Sequence, residues 1–340
     1  MVSSRTRLAF GLGAAAVVGG IAFVAATPAT IGPVLAGTDP ARFGLVCALQ
    51  LLSLVLCGAA WRLLADGATL LGCTGARLVR DGASTLGGFL PGIGEVVGAR
   101  VLTLFGTTSG DAAASTVVDT VTETISQVVF TVCGLAAVAV LLGGDALAGG
   151  AQIAAAAGAS ALGLFVLSRN RTVLGWLERC LGWFGRVAGF DGGGRSLDLA
   201  ANVSRIYARP GRVAAATMIH LGAWFLGAVQ VWVAADAIGR PLGFGASLAL
   251  VSLGYAARAI LFVVPLGAGV QEVTFLLVGR ALGADEAGAV ALSLVLRARD
   301  VLLAVPAVLG WGAAEFRRLP ARSLRRRPGR ATSGEIPRVP

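Results

Sequence analysis

Lysine is absent from this chain, and all 28 basic residues are arginine. Without lysine there is no G-x-x-x-x-G-K-[ST] loop for nucleotide phosphates. Histidine occurs once, at His220 within an apolar stretch. That leaves too few ligands for a histidine-based metal centre and argues against a Ser/His/Asp triad. The expected role of His220 is a buried, hydrogen-bonded core residue. The five cysteines, Cys47, Cys57, Cys73, Cys133 and Cys180, are odd in number and show no C-x-x-C spacing. They read as small hydrophobes rather than a disulfide framework. Aromatic residues make up 6% of the chain and do not interleave with a soluble basic face, which excludes a nucleic-acid partner. No cofactor and no metal are expected.

What remains is apolar. Of 340 residues, 56% are hydrophobic, so several long segments rather than one soluble core must account for the composition. The expected fold class is an all-α polytopic membrane protein. The net charge of +10 concentrates in loops and tail, which reads as positive-inside topology and contact with anionic head groups.

Arg5 and Arg7 precede the apolar run Leu8 to Ala26, read as an uncleaved first helix with a cytoplasmic N-terminus. Gly37 to Arg42 makes a short external loop, Phe43 to Leu64 returns, and Arg77 and Arg80 mark the cytoplasmic side. Ala83 to Phe105 is interrupted at Pro91, Gly92 and Gly94. A full span there would place the later arginine-rich loop outside, so a re-entrant helical hairpin opening to the cytoplasm fits the charges better. Ala112 to Leu142 crosses outward and Ala146 to Ser168 returns. From Arg169 to Arg212 there are eight arginines, with Leu174, Leu177, Leu181 and Phe184 on one helical face beside Trp176 and Trp183. This suits either a helix in the head-group layer or an ordinary connector. Val213 to Ile238 leaves the cytoplasm, Leu242 to Leu282 forms two arms around Pro265, and Ala289 to Trp311 follows.

The expected organisation is an N-terminal transmembrane half (1–168), a basic cytoplasmic linker (169–212), a C-terminal transmembrane half (213–316) and a basic, disordered tail (317–340). This makes two inverted-repeat halves of about six full spans plus two re-entrant hairpins, with eight spans as the alternative. Both termini are expected on the cytoplasmic side of a bacterial-type inner membrane.

The two breaks share a chemistry. Pro265 removes a backbone donor and biases Val264 away from helical geometry, while Gly267 and Gly269 allow conformations other residues resist. Glu272 then falls in the first turn of the restarted helix, where the positive end of the dipole favours a carboxylate. Glu95 follows Pro91, Gly92 and Gly94 in the same way. Aligning Glu95 with Glu272 also aligns Gly106 with Gly283 and Glu123 with Asp300, which suggests an internal repeat of the kind membrane transporters use. In the helix after the first break, Ser115, Thr116, Asp119, Glu123, Ser126 and Gln127 make one polar stripe.

The motifs PGIGE and PLGAGVQE, each followed by a short apolar helix, a glycine-containing turn and a long charged helix, resemble the lysylphosphatidylglycerol synthase-type transmembrane family. Members of that family include the lipid-flippase portion of the bacterial multiple peptide resistance factor. The stretch GEVVGARVLTLFGTTSGDAAASTVVDTVTETISQVVF is further similar to the hopanoid-biosynthesis-associated branch. The resemblance covers roughly residues 8 to 316. It departs in the short C-terminal tail, which leaves no room for a soluble aminoacyl-transfer domain, so synthase activity is not expected and the chain is not expected to be an enzyme.

Ionisable residues at membrane depth each cost roughly 2.5 to 3.5 kcal/mol and mark functional paths. Glu95, Arg100, Asp119, Glu123, Arg258, Glu272, Arg297, Arg299 and Asp300 are accordingly expected to line one translocation cavity, with Arg297 and Asp300 able to neutralise each other. The leading function is a lipid translocase, with arginines holding a phosphate or other anionic group and carboxylates balancing them. A membrane-embedded glycosyltransferase using Asp39 and a scaffold for a lipid-synthesis complex are the alternatives. Membrane lipids are the expected partners, together with lipid-synthesis proteins in the scaffold reading; oligomeric state is not legible.

Overall fold

The computed structural model describes residues 33, 36–87, 92–143, 147–188, 198–260 and 270–317. The first helix at Leu8 to Ala26, the break residues Pro91, Pro265, Gly267 and Gly269, the glycine run at 192–194 and the tail beyond Arg317 lie outside the described residues.

Among the described residues the structure is helical, with no strand, and the chain is an all-α polytopic membrane protein. Helix α1, Pro40–Leu64, starts where the Asp39 carboxylate accepts the Ala41 N–H at 2.8 Å and Pro40 supplies a preset φ. Its 25 residues extend about 37 Å, more than the apolar thickness of a bilayer. Helices α2, Leu70–Leu86, and α3, Ile93–Leu104, follow, and α3 opens on Gly92 at φ 79°, a left-handed conformation that favours glycine. Helix α4, Ser109–Leu142, is capped by Thr108 and closed by Gly143. Next come α5, Leu147–Arg169, α6, Arg171–Ala188, and α7, Leu199–Tyr207. The chain continues with α8, Pro210–Ala237, α9, Phe244–Ile260, α10, Val270–Ala281, and α11, Glu286–Arg317. By length and composition α1, α4 and α8 can each cross a membrane.

Two sets of four helices match in order and length. α1 to α4 have 25, 17, 12 and 34 residues; α8 to α11 have 28, 17, 12 and 32. The register of the Glu95 and Glu272 alignment holds: Ile93 and Val270 open the third helix of each set, and Ser109 and Glu286 the fourth. Gly106 and Gly283, in the turns between, both have positive φ.

Counterpart helices run antiparallel. The Asp39 N–H at the start of α1 donates to the Ala237 carbonyl at the end of α8. Asp66, just past the end of α1, pairs with Arg209 and Arg212 at the start of α8. The packing between sets is reciprocal: α2 lies on α11, with Gly82 against Ala304 and Val308, while its counterpart α9 lies on α4, with Ser252 against Gly134.

Each set contains a helical hairpin. Gly72 near the start of α2 faces Phe105 just past α3, and Gly98 faces Arg80, so the two arms double back on each other. In the other set Gly254 faces Phe275 and Gly279 faces Leu250. The α2–α3 hairpin opens at the bundle end that holds Asp66, and the α9–α10 hairpin at the end that holds Asp39 and Asp285. The first arm begins at Leu70 rather than near Ala83, because Thr69 caps a helix there by accepting the Gly72 N–H at 3.0 Å. Arg77 and Arg80 therefore sit inside the hairpin, 6% and 5% exposed, and do not mark a loop.

Among the described residues the interior divides into three apolar clusters. One joins Trp61 of α1, the α2–α3 hairpin and Ala304 to Trp311 of α11; a second surrounds Phe130, Phe275 and Leu292; a third lies at the α7 end of the bundle. In the third, Leu174 of α6 is buried with Leu199 and Val203 of α7, so this part of the linker's apolar face is covered by protein rather than by head groups. Large exposed side chains such as Val140, Leu71, Leu162, Met218 and Leu277 suit a surface whose solvent is lipid.

Candidate functional site

An ionic cluster fills the space between α2, α3, α4 and α8. On α2, Arg77, Arg80 and Asp81 fall three and four residues apart and so share a face. Arg77 donates to both oxygens of Glu123 and reaches Asp81 at 3.0 Å. Arg80 donates to Asp119 at 3.1 Å and to Glu95 at 3.1 Å, and contacts Glu123 at 3.1 Å. The Asp119 carboxylate is fully buried; its other oxygen accepts from His220 Nε2 at 3.0 Å. Trp61 stacks over the Arg80 guanidinium at 5.9 Å and donates its indole N–H to Ser115. Bringing these charges out of water is costly, and the opposed pairs with shared hydrogen bonds offset that cost.

Trp224, one turn beyond His220, donates to Ser126 at 3.1 Å and packs its ring on Tyr255, while Gln127 donates to the Tyr255 carbonyl. Further along α8, Gln230 accepts from Arg299 and donates to Ser53. A polar seam thus runs along α8 from the first cluster to the second set of helices. There Arg299 pairs with Asp300 at 2.7 Å, and Arg297 pairs with Glu272 at 2.7 Å. Glu272 Oε2 and Arg297 Nε are buried with no hydrogen-bond partner. Arg258 donates to Gln271 at 3.3 Å.

The structure thus brings together Glu95, Asp119 and Glu123 as one group, and Glu272 with Arg297 and Arg299 with Asp300 as neighbouring pairs. Arg297 and Asp300 do not neutralise each other, since each has a nearer partner. Arg100 stands apart, holding Glu315 of α11 at 2.7 Å. The expected polar stripe of α4 faces inward, with Ser115, Thr116, Asp119 and Ser126 buried. Sequence reasoning missed Arg77, Arg80, Asp81 and Gln230. The Thr69 cap was the available evidence that the two arginines belong to a helix, and the Asp81-Gly82 dipeptide, a common turn signal, pointed the other way. Among the described residues no group of His, Cys, Asp and Glu is arranged to hold a metal ion.

A separate cleft of about 680 Å³ lies at the bundle end where α4 finishes, between the α8–α9 and α10–α11 turns. Arg240 and Asp285 pair at its rim at 3.0 Å.

The family model described as the lysylphosphatidylglycerol synthase TM region matches residues 8–310. The chain belongs to the lysylphosphatidylglycerol synthase transmembrane family. No curated protein and no solved structure matches it. The matched region contains both hairpins and every residue of the ionic cluster, so the buried charges lie within the family's membrane region and not in an appended segment. Membership identifies a membrane domain.

Proposed function

We propose that the protein is a lipid translocase that lowers the barrier to moving a polar or anionic head group across the bilayer, and that it belongs to the hopanoid-biosynthesis-associated branch of its family. The observation that carries this reading is the pairing at the two hairpins. Glu95 and Glu272, each in the first turn of its restarted arm, are held by Arg80 and Arg297 at 3.1 and 2.7 Å. Guanidiniums can bind phosphate in place of a carboxylate, and the displaced carboxylate can accept from head-group amines or hydroxyls. Two such sites in hairpins opening at opposite ends supply a polar route while acyl tails stay in lipid. The hairpins are read as re-entrant and the arginine-rich end of the bundle as cytoplasmic, with both termini on that side of a cytoplasmic membrane.

The protein is read as a non-enzyme: Asp39, the residue a glycosyltransferase reading would need, is engaged as the cap of α1 and with Arg42 at 3.2 Å. Membrane lipids are the proposed partners. The scaffold reading, with lipid-synthesis proteins as partners, is favoured by one observation, that most buried charges already have protein partners.

Reconstitution into proteoliposomes with head-group-labelled lipids, scored for leaflet exchange, tests the proposal. Protein-dependent exchange is expected for an anionic lipid. Folded protein that exchanges none of the lipids offered would move the reading to a scaffold.

A further inference from the structure

Two guanidiniums, Arg77 and Arg80, face four carboxylates in the first cluster: Asp81, Glu95, Asp119 and Glu123. Among the described residues the remaining basic group there is His220, and it is 1% exposed. An ionised carboxylate can only accept, so the hydrogen between His220 and Asp119 sits on Nε2 and the lone pair of the neutral ring sits on Nδ1. Nδ1 is buried and has no hydrogen-bond partner. A basic nitrogen bonded by no N or O group, with the weakly bonding Cys57 thiol facing the ring, thus lies beside an excess of negative charge in the interior of the bundle.

We propose that His220 is a proton site coupled to anion binding at Arg77 and Arg80, so that one proton and one anionic lipid head group occupy the bundle together. Asp119 is the link. One of its oxygens serves His220, and the other serves Arg80 at 3.1 Å and lies 3.7 Å from Arg77. When Nδ1 takes a proton, the imidazolium draws Asp119 more strongly and leaves more of the guanidinium charge for a phosphate. By linkage a phosphate on the arginines favours the proton by the same factor. No bond other than N–H forms or breaks, and the proton comes from water on one side and returns to water on the other.

The groups facing His220 are Asp119 and Glu123 of α4 and the Cys57 thiol of α1, with Arg77 and Arg80 of α2 behind the two carboxylates. Tyr255 of α9 and Arg299 of α11 lie further along the seam, at Trp224 and Gln230. The coupling to lipid movement rests on the translocase reading; the proton site itself does not.

The test has two arms. In the first, proteoliposomes of phosphatidylcholine carry a trace of fluorescent phosphatidylglycerol, whose leaflet distribution is read by a membrane-impermeant quencher under an imposed pH difference. For one proton per head group, one pH unit should enrich the probe about tenfold in the leaflet facing the alkaline side. His220→Gln should lose this response, whatever its absolute rate. Wild-type protein that distributes the probe evenly despite the gradient overturns the coupling. In the second arm, nitrogen NMR of the single histidine in nanodiscs reports its charge state. A proton gained by the ring when phosphatidylglycerol is added to the nanodiscs, and not gained in Asp119→Asn, sustains the proton site even if no lipid is exchanged, which would sink only the translocase reading. A ring in wild type whose charge state is the same with and without phosphatidylglycerol overturns the proposal, and this needs no variant to fold.

Discussion

Asp39 donates its backbone N–H to the Ala237 carbonyl at 2.8 Å, which fastens the start of α1 to the end of α8. With Asp66 holding Arg209 and Arg212 at the other end, the two helices are antiparallel and the bundle ends are assigned. Single cysteines at positions 240 and 285 should therefore react with an impermeant reagent from one side, and those at 66 and 209 from the other. With the arginine-rich end cytoplasmic, intact cells should label only 240 and 285. Labelling of 66 and 240 from the same side would remove the antiparallel arrangement.

Arg80 and Glu95 occupy unequal positions in their ion pair. The Arg80 side chain is 6% exposed and serves three carboxylates, whereas that of Glu95 is 36% exposed. Arg80→Gln should cost about 3–5 kcal/mol, because it strands buried charge, and should lower folded yield as well as exchange. Glu95→Gln should cost about 1 kcal/mol or less and act mainly on exchange. Thermal unfolding in detergent alongside the exchange rate separates the two. Equal destabilisation would place Glu95 in the structural core of the cluster.

Close packing of α1 on α2 depends on Gly58, where a Cβ would meet the Thr74 backbone Cα at 2.7 Å. Gly58→Ala should lower stability by about 1–3 kcal/mol, since helix backbone rather than a flexible side chain must move. Gly44→Ala, on the same helix with nothing within 4 Å, should be neutral or slightly stabilising. Similar melting shifts in the two variants would contradict the interface.

Asp66 lies past the end of α1, outside the spanning helices. Partial burial pushes its carboxyl up, but the Arg209 and Arg212 guanidiniums outweigh burial and hold it below its ordinary value. A carboxylate depressed in the folded state contributes stability that is present above its unfolded value and lost as pH falls through the folded value. The stability difference between wild type and Asp66→Asn should therefore shrink on acidification, and salt should reduce it because the group is exposed. A difference that is constant from neutral to strongly acidic pH would show that the pair does not contribute.

Much of this architecture was legible because its punctuation is local. A helix break followed by a carboxylate, a turn glycine and a long helix can be read at Gly92, Glu95, Gly106 and Ser109, and again from Glu272 through Gly283 to Glu286. The charged partners were harder to read. Arg77 and Arg80 resemble topology markers in sequence, and only the approach of α2 to α4 shows that they neutralise Asp119 and Glu123. Likewise the spacing of Arg297 and Asp300 suggests a pair, but helical direction sends Arg297 toward α10 and leaves Asp300 to Arg299. Partner choice depends on helices distant in sequence, and spacing along one helix cannot report it.

That last pairing can be measured. Arg297 contacts Glu272 at 2.7 Å, while Asp300 is held by Arg299. In a double-mutant cycle on thermal unfolding, Arg297→Gln and Glu272→Gln should be coupled by about 0.5–3 kcal/mol, and Arg297→Gln and Asp300→Asn should be close to additive. The Arg297→Gln variant strands the Glu272 carboxylate, so adding Glu272→Gln should recover part of the lost stability. It should not recover lipid exchange, because the guanidinium proposed to receive the head group is still missing. Recovery of both together would assign the pair a purely structural role; recovery of stability alone separates folding from transport at this hairpin.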